Sequence, residues 1–230
     1  MRRILHITMS DTFSGAENVA CQIISMFRNN TDIEMFYCGI EGSKIRNALQ
    51  ERNIRFVPMT ERSPKEVARV IRETKPTIIH DMKASFYVAL TCGKIPFVSH
   101  VHNNNVDSRG ISIKSILYYF AARKAKHILW VSKSAYEGYA FHNKFKGKSS
   151  ILYNVIDAEV NRKVAQDKKE YHYDIVYIGR LTPPKNPQRL VEVFAGIKNE
   201  YPKMRAAIVG TGDLEEETKK KRQELHAEDY

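Results

Sequence analysis

The segment DIVYIGRLTPPKNPQRLVEVFAGI, residues 174–197, decides the fold. Residues 174–178 are mainly apolar and β-branched, which predicts a buried parallel strand that ends at Gly179. Asn186 is a favourable N-cap and Pro187 a favourable first helical residue. Apolar side chains then recur with helical spacing at Leu190, Val191, Phe194 and Ile197. The segment therefore predicts a strand, a loop and a helix, with the loop at the sheet edge where open α/β folds bind ligands.

The loop between this strand and this helix carries two cations, Arg180 and Lys185. Both precede a helix start, where free backbone N–H groups favour an anion. Arginine offers a bidentate fork to phosphate, and lysine offers a mobile point charge. A phosphate-bearing ligand is one interpretation of the loop, and a pair of solvated surface charges is the other.

The same alternation of apolar strands and amphipathic helices runs along the rest of the chain. It predicts earlier strands at residues 4–9, 33–38, 54–57, 77–80, 96–102, 127–131 and 150–152, and a later one at 205–209. Pro58 is expected to stop the third strand, and Ser43 to cap the helix before it. Short connections of this kind predict an α/β fold whose parallel sheet has helices on both faces.

The pattern divides the chain into a larger and a smaller part. We expect a Rossmann-like domain over residues 1–153, a polar linker over 154–172, and a partial second domain over 173–230 with the order βαβα. A unit of that size buries little surface, so its helix needs more sheet than two strands provide.

Composition limits the class of protein and its partners. The net charge of +11 favours an anionic partner without choosing among nucleic acid, membrane and phosphorylated substrates. The cysteines Cys21, Cys38 and Cys92 are odd in number and lie in apolar contexts, which indicates buried thiols in a reducing compartment. The apolar run at the N-terminus is too short for a signal peptide. We therefore expect a cytoplasmic protein.

Polar residues lie at or after the ends of three other predicted strands. FSGAEN at 13–18 places Gly15 at a helix start, where it admits a ligand close to the backbone or simply begins the helix. His100 and His102 share one face of a strand, so a metal pair and a plain polar strand end both remain open. His80 and Asp81 close another strand, where they either face the same cleft or form a plain polar pair at the strand end. No P-loop, G-x-S-x-G or H-E-x-x-H motif is present.

Five phrases together resemble one family, the retaining glycosyltransferases of the GT-B fold known as family 4. G-R-L-x-x-x-K-N-P at 179–187 resembles its donor loop, and S-G-A-E at 14–17 resembles its G-G-A-E loop. H-V-H-N at 100–103 resembles T-x-H-D, with Asn103 at the aspartate position. ILYNVID at 151–157 resembles I-x-N-G-V-D, with Val155 at the glycine position, and VGTGDL at 209–214 resembles V-G-x-G-x-L.

The resemblance implies transfer of a sugar, with retention, from a nucleotide-sugar to a glycan or lipid-linked acceptor. It implies no obligatory metal or other cofactor, and a role in surface polysaccharide or glycolipid synthesis. Arg180 and Lys185 would hold the donor diphosphate, with Gly15 beside it and His102 as the catalytic histidine. Further cleft residues implied by the matching phrases are Glu17, Asn154, Gly210 and Gly212.

The family's Glu-x7-Glu motif has no counterpart in this sequence. We therefore also expect that the chain is truncated, or that it is a non-catalytic or split-enzyme subunit whose partner chain completes the C-terminal domain. A sugar-nucleotide epimerase is a further alternative, and nucleic-acid binding has only the net charge in its favour. The basic, aromatic-rich stretch 111–131 has two interpretations: peripheral contact with an anionic membrane at its inner face, or a helix with one face in the core and solvated charges on the other.

Overall fold

The computed structural model describes residues 1–11, 13–102, 106–154, 158, 162 and 172–227. The chain divides into two compact units, Met1–Val160 (unit 1) and Asn161–Tyr230 (unit 2). Most of the predicted linker at 154–172 lies outside the described residues.

Unit 1 is built on a seven-stranded parallel sheet with the order β3-β2-β1-β4-β5-β6-β7. The strand order changes direction between β1 and β4, the kind of switch point at which open α/β sheets bind ligands. This confirms the predicted Rossmann-like fold. The strands are β1 (Arg2–Ile7), β2 (Ile33–Ile40), β3 (Phe56–Met59), β4 (Ile78–Asp81), β5 (Phe97–Val101), β6 (His127–Trp130) and β7 (Ser149–Ile151).

Helices connect the strands of unit 1 at the predicted places. Ser63 caps the third helix, since its side chain accepts a hydrogen bond from Glu66 N at 3.3 Å. Gly42 rather than Ser43 is the N-cap of the second helix. The helices are α1 (Gly15–Met26), α2 (Ser43–Glu51), α3 (Pro64–Thr74), α4 (Ser85–Thr91), α5 (Val106–Arg109), α6 (Ile113–Lys124) and α7 (Lys133–Glu137), followed by a 3-10 helix (His142–Lys148).

The prediction that Pro58 ends the third strand is wrong. Strand β3 runs from Phe56 to Met59 and includes the proline. Proline is tolerated there because β3 is an edge strand, and one side of its backbone has no neighbouring strand to receive an N–H.

The core of unit 1 lies between the sheet and its helices. Its centre is formed by fully buried strand residues such as Leu5, Ile79 and Trp130. The three cysteines are buried free thiols, as predicted from their apolar contexts.

Unit 2 is small and has a two-stranded parallel sheet, β8 (Ile175–Ile178) and β9 (Ala206–Val209). Its helices are α8 (Pro187–Glu200) and α9 (Glu215–Glu224), and a 3-10 helix (Pro183–Lys185) precedes α8. Phe194 of α8 packs with Met204 and Ala206 to form the core. Val176, Ile178 and Val209 remain exposed. Parallel sheets are normally covered on both faces, so this unit is a partial Rossmann-like domain.

In the part of the chain that the structure describes, no helix is both long enough and apolar enough to cross a lipid bilayer.

Candidate functional site

The loop after β8 is held firmly on both sides of Arg180. Gly179 N donates to Val209 O at 3.0 Å, and Leu181 N donates to Thr211 O at 2.9 Å. Leu181 O in turn accepts from Leu214 N at 2.9 Å, and the Leu181 side chain is buried. The backbone of Arg180 is therefore fixed between two anchored neighbours at the carboxyl end of the sheet.

Gly210 and Gly212 lie on the loop that provides this anchoring. Gly210 has φ +155°, a conformation that favours glycine. A Cβ at Gly210 would overlap Gly179 O, and a Cβ at Gly212 would overlap Leu181 O. Both glycines are thus required because two backbones approach each other closely. They help to fix the backbone of Arg180 through its neighbours Gly179 and Leu181.

The side chains of Arg180 and Lys185 are exposed. Neither forms an ion pair or hydrogen bond with another described residue. Lys185 ends the 3-10 helix, and Asn186, with φ 45°, caps α8 by accepting from Arg189 N at 3.4 Å. The predicted strand, loop and capped helix are therefore confirmed, but the prediction that this strand is buried is wrong, because Val176 and Ile178 are exposed. Arg180 and Lys185, which have no charged partner among the described residues, lie near the N-terminus of α8.

In unit 1, Gly15 is the first residue of α1 and is exposed. A Cβ at this position would meet nothing within 4 Å. The fold itself therefore does not require glycine at position 15, in contrast to positions 210 and 212.

Glu17 is fully buried and bound on both carboxylate oxygens. Oε2 accepts from Ser14 N at 3.1 Å and from the Ser14 hydroxyl, and Oε1 lies 2.6 Å from Lys83 Nζ. Burial raises the pKa of Glu17, but the hydrogen bonds from Lys83 and Ser14 outweigh it and hold the pKa below its ordinary value. Glu17 is therefore an ionised residue that anchors Lys83.

His102 follows β5, and its ring packs against the ring of His100 with centroids 4.1 Å apart. Its Nε2 is buried and has no hydrogen-bond partner among the described residues. Burial, followed by the charge of Lys83, lowers the pKa of His102 to about 4, and Glu17 opposes this weakly. The imidazole is therefore neutral at pH 7 and can donate or accept a hydrogen bond. Asn103, next to it, lies outside the described residues.

His6, His80 and His100 form a ladder across three strands. His6 Nδ1 lies 2.8 Å from His80 Nδ1, and His80 Nε2 lies 3.1 Å from His100 Nδ1. Within the described ranges, no group of three His, Cys, Asp or Glu side chains is arranged to hold a metal ion. The ring nitrogens of His80 and His100 bind each other.

Asn154 is exposed after β7, and the rest of its motif, residues 155–157, lies outside the described residues. Gly15, Glu17 and His102 belong to unit 1, where Glu17 and His102 are coupled through Lys83. The four predicted residues of unit 2 lie on two hydrogen-bonded loops: Arg180, Lys185, Gly210 and Gly212.

Sequence analysis missed Lys83 and a chain of hydroxyl groups that starts at Asp81. Asp81 Oδ1 accepts from Ala84 N at 2.6 Å, and Oδ2 accepts from the Ser85 hydroxyl. The Ser85 hydroxyl is hydrogen-bonded to the Ser99 hydroxyl, and the Ser99 hydroxyl is hydrogen-bonded to the Tyr118 hydroxyl. A polar Asp81 after a buried strand was the one available signal, because the partners Ser85, Ser99 and Tyr118 come from three other elements.

Comparison with known proteins agrees with the fold. Residues 13–160 match the family described as Glycosyltransferase Family 4, and residues 159–230 match Glycosyl transferases group 1. An uncharacterized glycosyltransferase from Methanocaldococcus jannaschii is 26% identical in an alignment of 184 residues. The alignment covers 70% of this chain and 44% of that protein.

Solved structures show the same fold. The Anabaena protein HepE in complex with UDP and glucose superimposes with a TM-score of 0.78 at 17% identity, over 99% of this chain and 67% of that one. The UDP-GlcNAc 2-epimerase from Neisseria meningitidis bound to UDP-GlcNAc gives 0.62 at 11% identity, over 99% and 70%.

A seven-stranded parallel unit followed by a small two-stranded parallel unit is the GT-B fold, as the superposition on HepE shows. More particularly, the chain belongs to glycosyltransferase family 4, because the family match covers residues 13–160. The chain spans 44% of the length of the curated relative that it matches.

Proposed function

We propose that the chain binds a nucleotide-sugar and transfers its sugar, with retention of configuration, to a glycan or lipid-linked acceptor. The observation that carries the proposal is the pair of exposed cations Arg180 and Lys185, which have no charged partner among the described residues, with the backbone of Arg180 anchored on both sides. The family membership gives the reaction class, and the cations give the part of the donor that unit 2 recognises.

Arg180 and Lys185 stabilise the negative charge that develops on the departing diphosphate. Preorganised cations are effective in this role because they need not reorganise during the reaction. The rigid loop provides that preorganisation for Arg180, whereas Lys185 adds a mobile charge. Since two cations supply the positive charge, the proposal includes no metal ion and no other cofactor.

His102 positions the transferred sugar through a hydrogen bond from its free Nε2. A neutral imidazole suits this role because it does not repel the positive charge that develops on the sugar ring. Gly15 leaves open space for the donor's phosphates beside α1. Asn154, exposed after β7, is proposed as a further donor- or acceptor-facing residue.

The proposal also covers the location and the pathway of the reaction. We place the reaction in the cytoplasm, at the inner face of an anionic membrane, in the synthesis of a surface polysaccharide or glycolipid. The support is the net charge of +11 together with exposed apolar side chains on α6, such as Ile113 and Phe120. Salt-sensitive flotation with liposomes containing anionic lipid tests the membrane contact, and its absence removes that part.

The experiment for the transfer reaction is an incubation of the chain with UDP-, GDP-, ADP- and CDP-sugars and an acceptor panel, with release of free nucleotide as the readout. We expect turnover with one donor, and a turnover rate at least about tenfold lower in Arg180→Ala. The anomeric NMR signal should show that the product has the same anomeric configuration as the donor. Lys203→Ala is the matched control, because this exposed lysine lies just before β9, at the amino end of the strands and not at the carboxyl end where Arg180 lies.

Nucleotide binding without turnover would instead support the alternative in which a partner chain is needed. Neither binding nor turnover with any of the four donors would contradict the proposed function.

A further inference from the structure

A pocket of about 450 Å³ opens beside the carboxyl end of β5 in unit 1. Its volume lies within the range of about 300–1,000 Å³ that is usual for small-molecule sites. Aromatic rings form much of its lining: Phe86, Tyr118, Trp130 and Tyr139. Tyr118 and Tyr139 pack edge to face with centroids 5.1 Å apart, so these rings support each other.

The hydroxyl chain from Asp81 ends in this pocket. The Ser85 hydroxyl donates to the buried Asp81 carboxylate, the Ser85 and Ser99 oxygens lie 3.1 Å apart, and the Ser99 and Tyr118 oxygens lie 3.0 Å apart. Ser85, Ser99 and Tyr118 all line the pocket. The four groups thus form one continuous chain from a buried charge to the pocket surface.

The direction of this chain is fixed by its buried end. Burial raises the pKa of Asp81 to about 6, so the carboxylate is ionised at pH 7.5 and only accepts hydrogen bonds. The single protons of Ser85 and Ser99 therefore point toward Asp81, and Ser99 accepts the proton of Tyr118. The Tyr118 oxygen is left with a free acceptor position, which is matched by a ligand O–H and not by an anionic oxygen.

The charged side chains that line the pocket are neutralised. Lys83 pairs with Glu17 at 2.6 Å, and Lys114 pairs with Asp107 at 2.5 Å. Burial lowers the pKa of His102 to about 4, so this lining group is neutral as well. Despite the net charge of +11, the described lining offers no unpaired cation to an acidic ligand.

We propose that this pocket binds an uncharged sugar ring of the acceptor, with its apolar face against the aromatic side chains and one hydroxyl donating to Tyr118. Asp81 is a positioning residue that acts through Ser85 and Ser99. The assignment of the ligand as the acceptor rests on the proposed transferase function, whereas the binding of an uncharged sugar does not.

The test is ligand-observed NMR on the full chain at pH 7.5, with neutral methyl glycosides of glucose, galactose, mannose and N-acetylglucosamine as probes. The matching uronates and 6-phosphates are the anionic probes. We expect a neutral glycoside to bind at least about tenfold more tightly than its anionic counterparts, because only the neutral sugar leaves no charge unpaired. Tyr118→Phe and Ser99→Ala should each weaken binding of the neutral glycoside by about five- to tenfold, the effect of one lost hydrogen bond.

Tyr119→Phe is the matched control, since Tyr119 is the next residue on α6 and does not line the pocket. UDP binding is measured in the same samples. Arg180→Ala with Lys185→Ala should remove UDP binding and leave glycoside binding unchanged, which separates the failure of the transferase proposal from the failure of this one. Tighter binding of an anionic probe, no binding of any neutral glycoside, or binding that is unaffected in folded Tyr118→Phe and Ser99→Ala would overturn the proposal.

Discussion

Lys83 Nζ lies 2.6 Å from Oε1 of Glu17, a carboxylate that is fully buried. The pair joins the start of α1 to the loop after β4, the two segments on either side of the switch point in the sheet. It also sets the charge near His102, whose pKa Lys83 lowers. One ion pair thus supports both the fold of unit 1 and the neutral state of the proposed catalytic imidazole.

Replacing Lys83 with methionine should destabilise unit 1 by about 3 kcal/mol, because Glu17 would remain as a buried and unpaired charge. Trp130 is the single tryptophan and is buried in unit 1, so its fluorescence reports the unfolding of this unit in urea. Lys65→Met on the exposed surface of α3 is the control. Adding Glu17→Gln to Lys83→Met should recover part of the lost stability. Equal stabilities of Lys83→Met and the control Lys65→Met would refute the role of the ion pair.

The stability of unit 1 should fall as the pH is lowered from about 6.5 toward 4. Burial lowers the pKa of His6 to about 4 and of His100 to about 3, and it lowers that of His80 well below its ordinary value. The unfolded chain, with histidine pKa values near 6.5, therefore binds protons that the folded chain does not. Each histidine contributes at most about 1.4 kcal/mol per pH unit in this window.

Asp81 opposes this trend, since its raised pKa of about 6 means that the folded state takes up its proton first. Three histidines outweigh one aspartate, so the urea midpoint followed by Trp130 fluorescence should be lower at pH 5 than at pH 7. An NMR titration should show these ring protons unchanged down to about pH 5. Titration of the three rings near pH 6.5 in the folded protein would contradict the buried ladder.

Alanine at Gly212 should destabilise unit 2 by about 1–3 kcal/mol, since the new methyl group overlaps the Leu181 carbonyl. It should also weaken nucleotide binding, because Leu181 anchors one side of Arg180. Gly196→Ala is the control in the same unit: the position lies in α8 with open space around it, so alanine should stabilise by about 0.5–1 kcal/mol. Circular dichroism melts and nucleotide titrations give both readouts, and identical behaviour of the two variants would count against the anchoring.

Alanine at Gly15 should leave the stability of unit 1 unchanged or slightly raised, because a Cβ there meets open space. If the donor's phosphates approach this backbone, the same variant should weaken donor binding by about tenfold or more. Gly147→Ala, also with open space around it, is the matched control. Full donor affinity in Gly15→Ala would remove Gly15 from the proposed site.

Much of the fold could be predicted from local signals. The donor loop illustrates this, because the strand, the Asn186 cap and the first helical Pro187 all lie within a short stretch of chain. Pro58 was misjudged because whether a proline ends a strand depends on edge or central position, which is a property of the whole sheet.

The parts of the candidate site that could not be predicted depend on register between strands. His6 meets His80 because β1 and β4 are neighbours with these two residues paired. Ser99 meets Tyr118 and Ser85 only after β5 and the helices beside it are placed. Hydrophobic periodicity gives the face of each residue but not its partner on another strand, so Lys83 and the hydroxyl chain were beyond the sequence.

The central claim is that Arg180 and Lys185 hold the diphosphate of a nucleotide-sugar. Calorimetric titration with each nucleoside and its diphosphate, for uridine, guanosine, adenosine and cytidine, measures this directly as the ratio of the two dissociation constants. For the best-bound base, charge-assisted contacts of about 1.5–3 kcal/mol each should favour the diphosphate by at least about 100-fold. In Arg180→Ala with Lys185→Ala the ratio should fall to within about fivefold of one, while Lys203→Ala with Arg205→Ala at the opposite strand ends should retain it. An unchanged ratio in the first double variant would contradict the account.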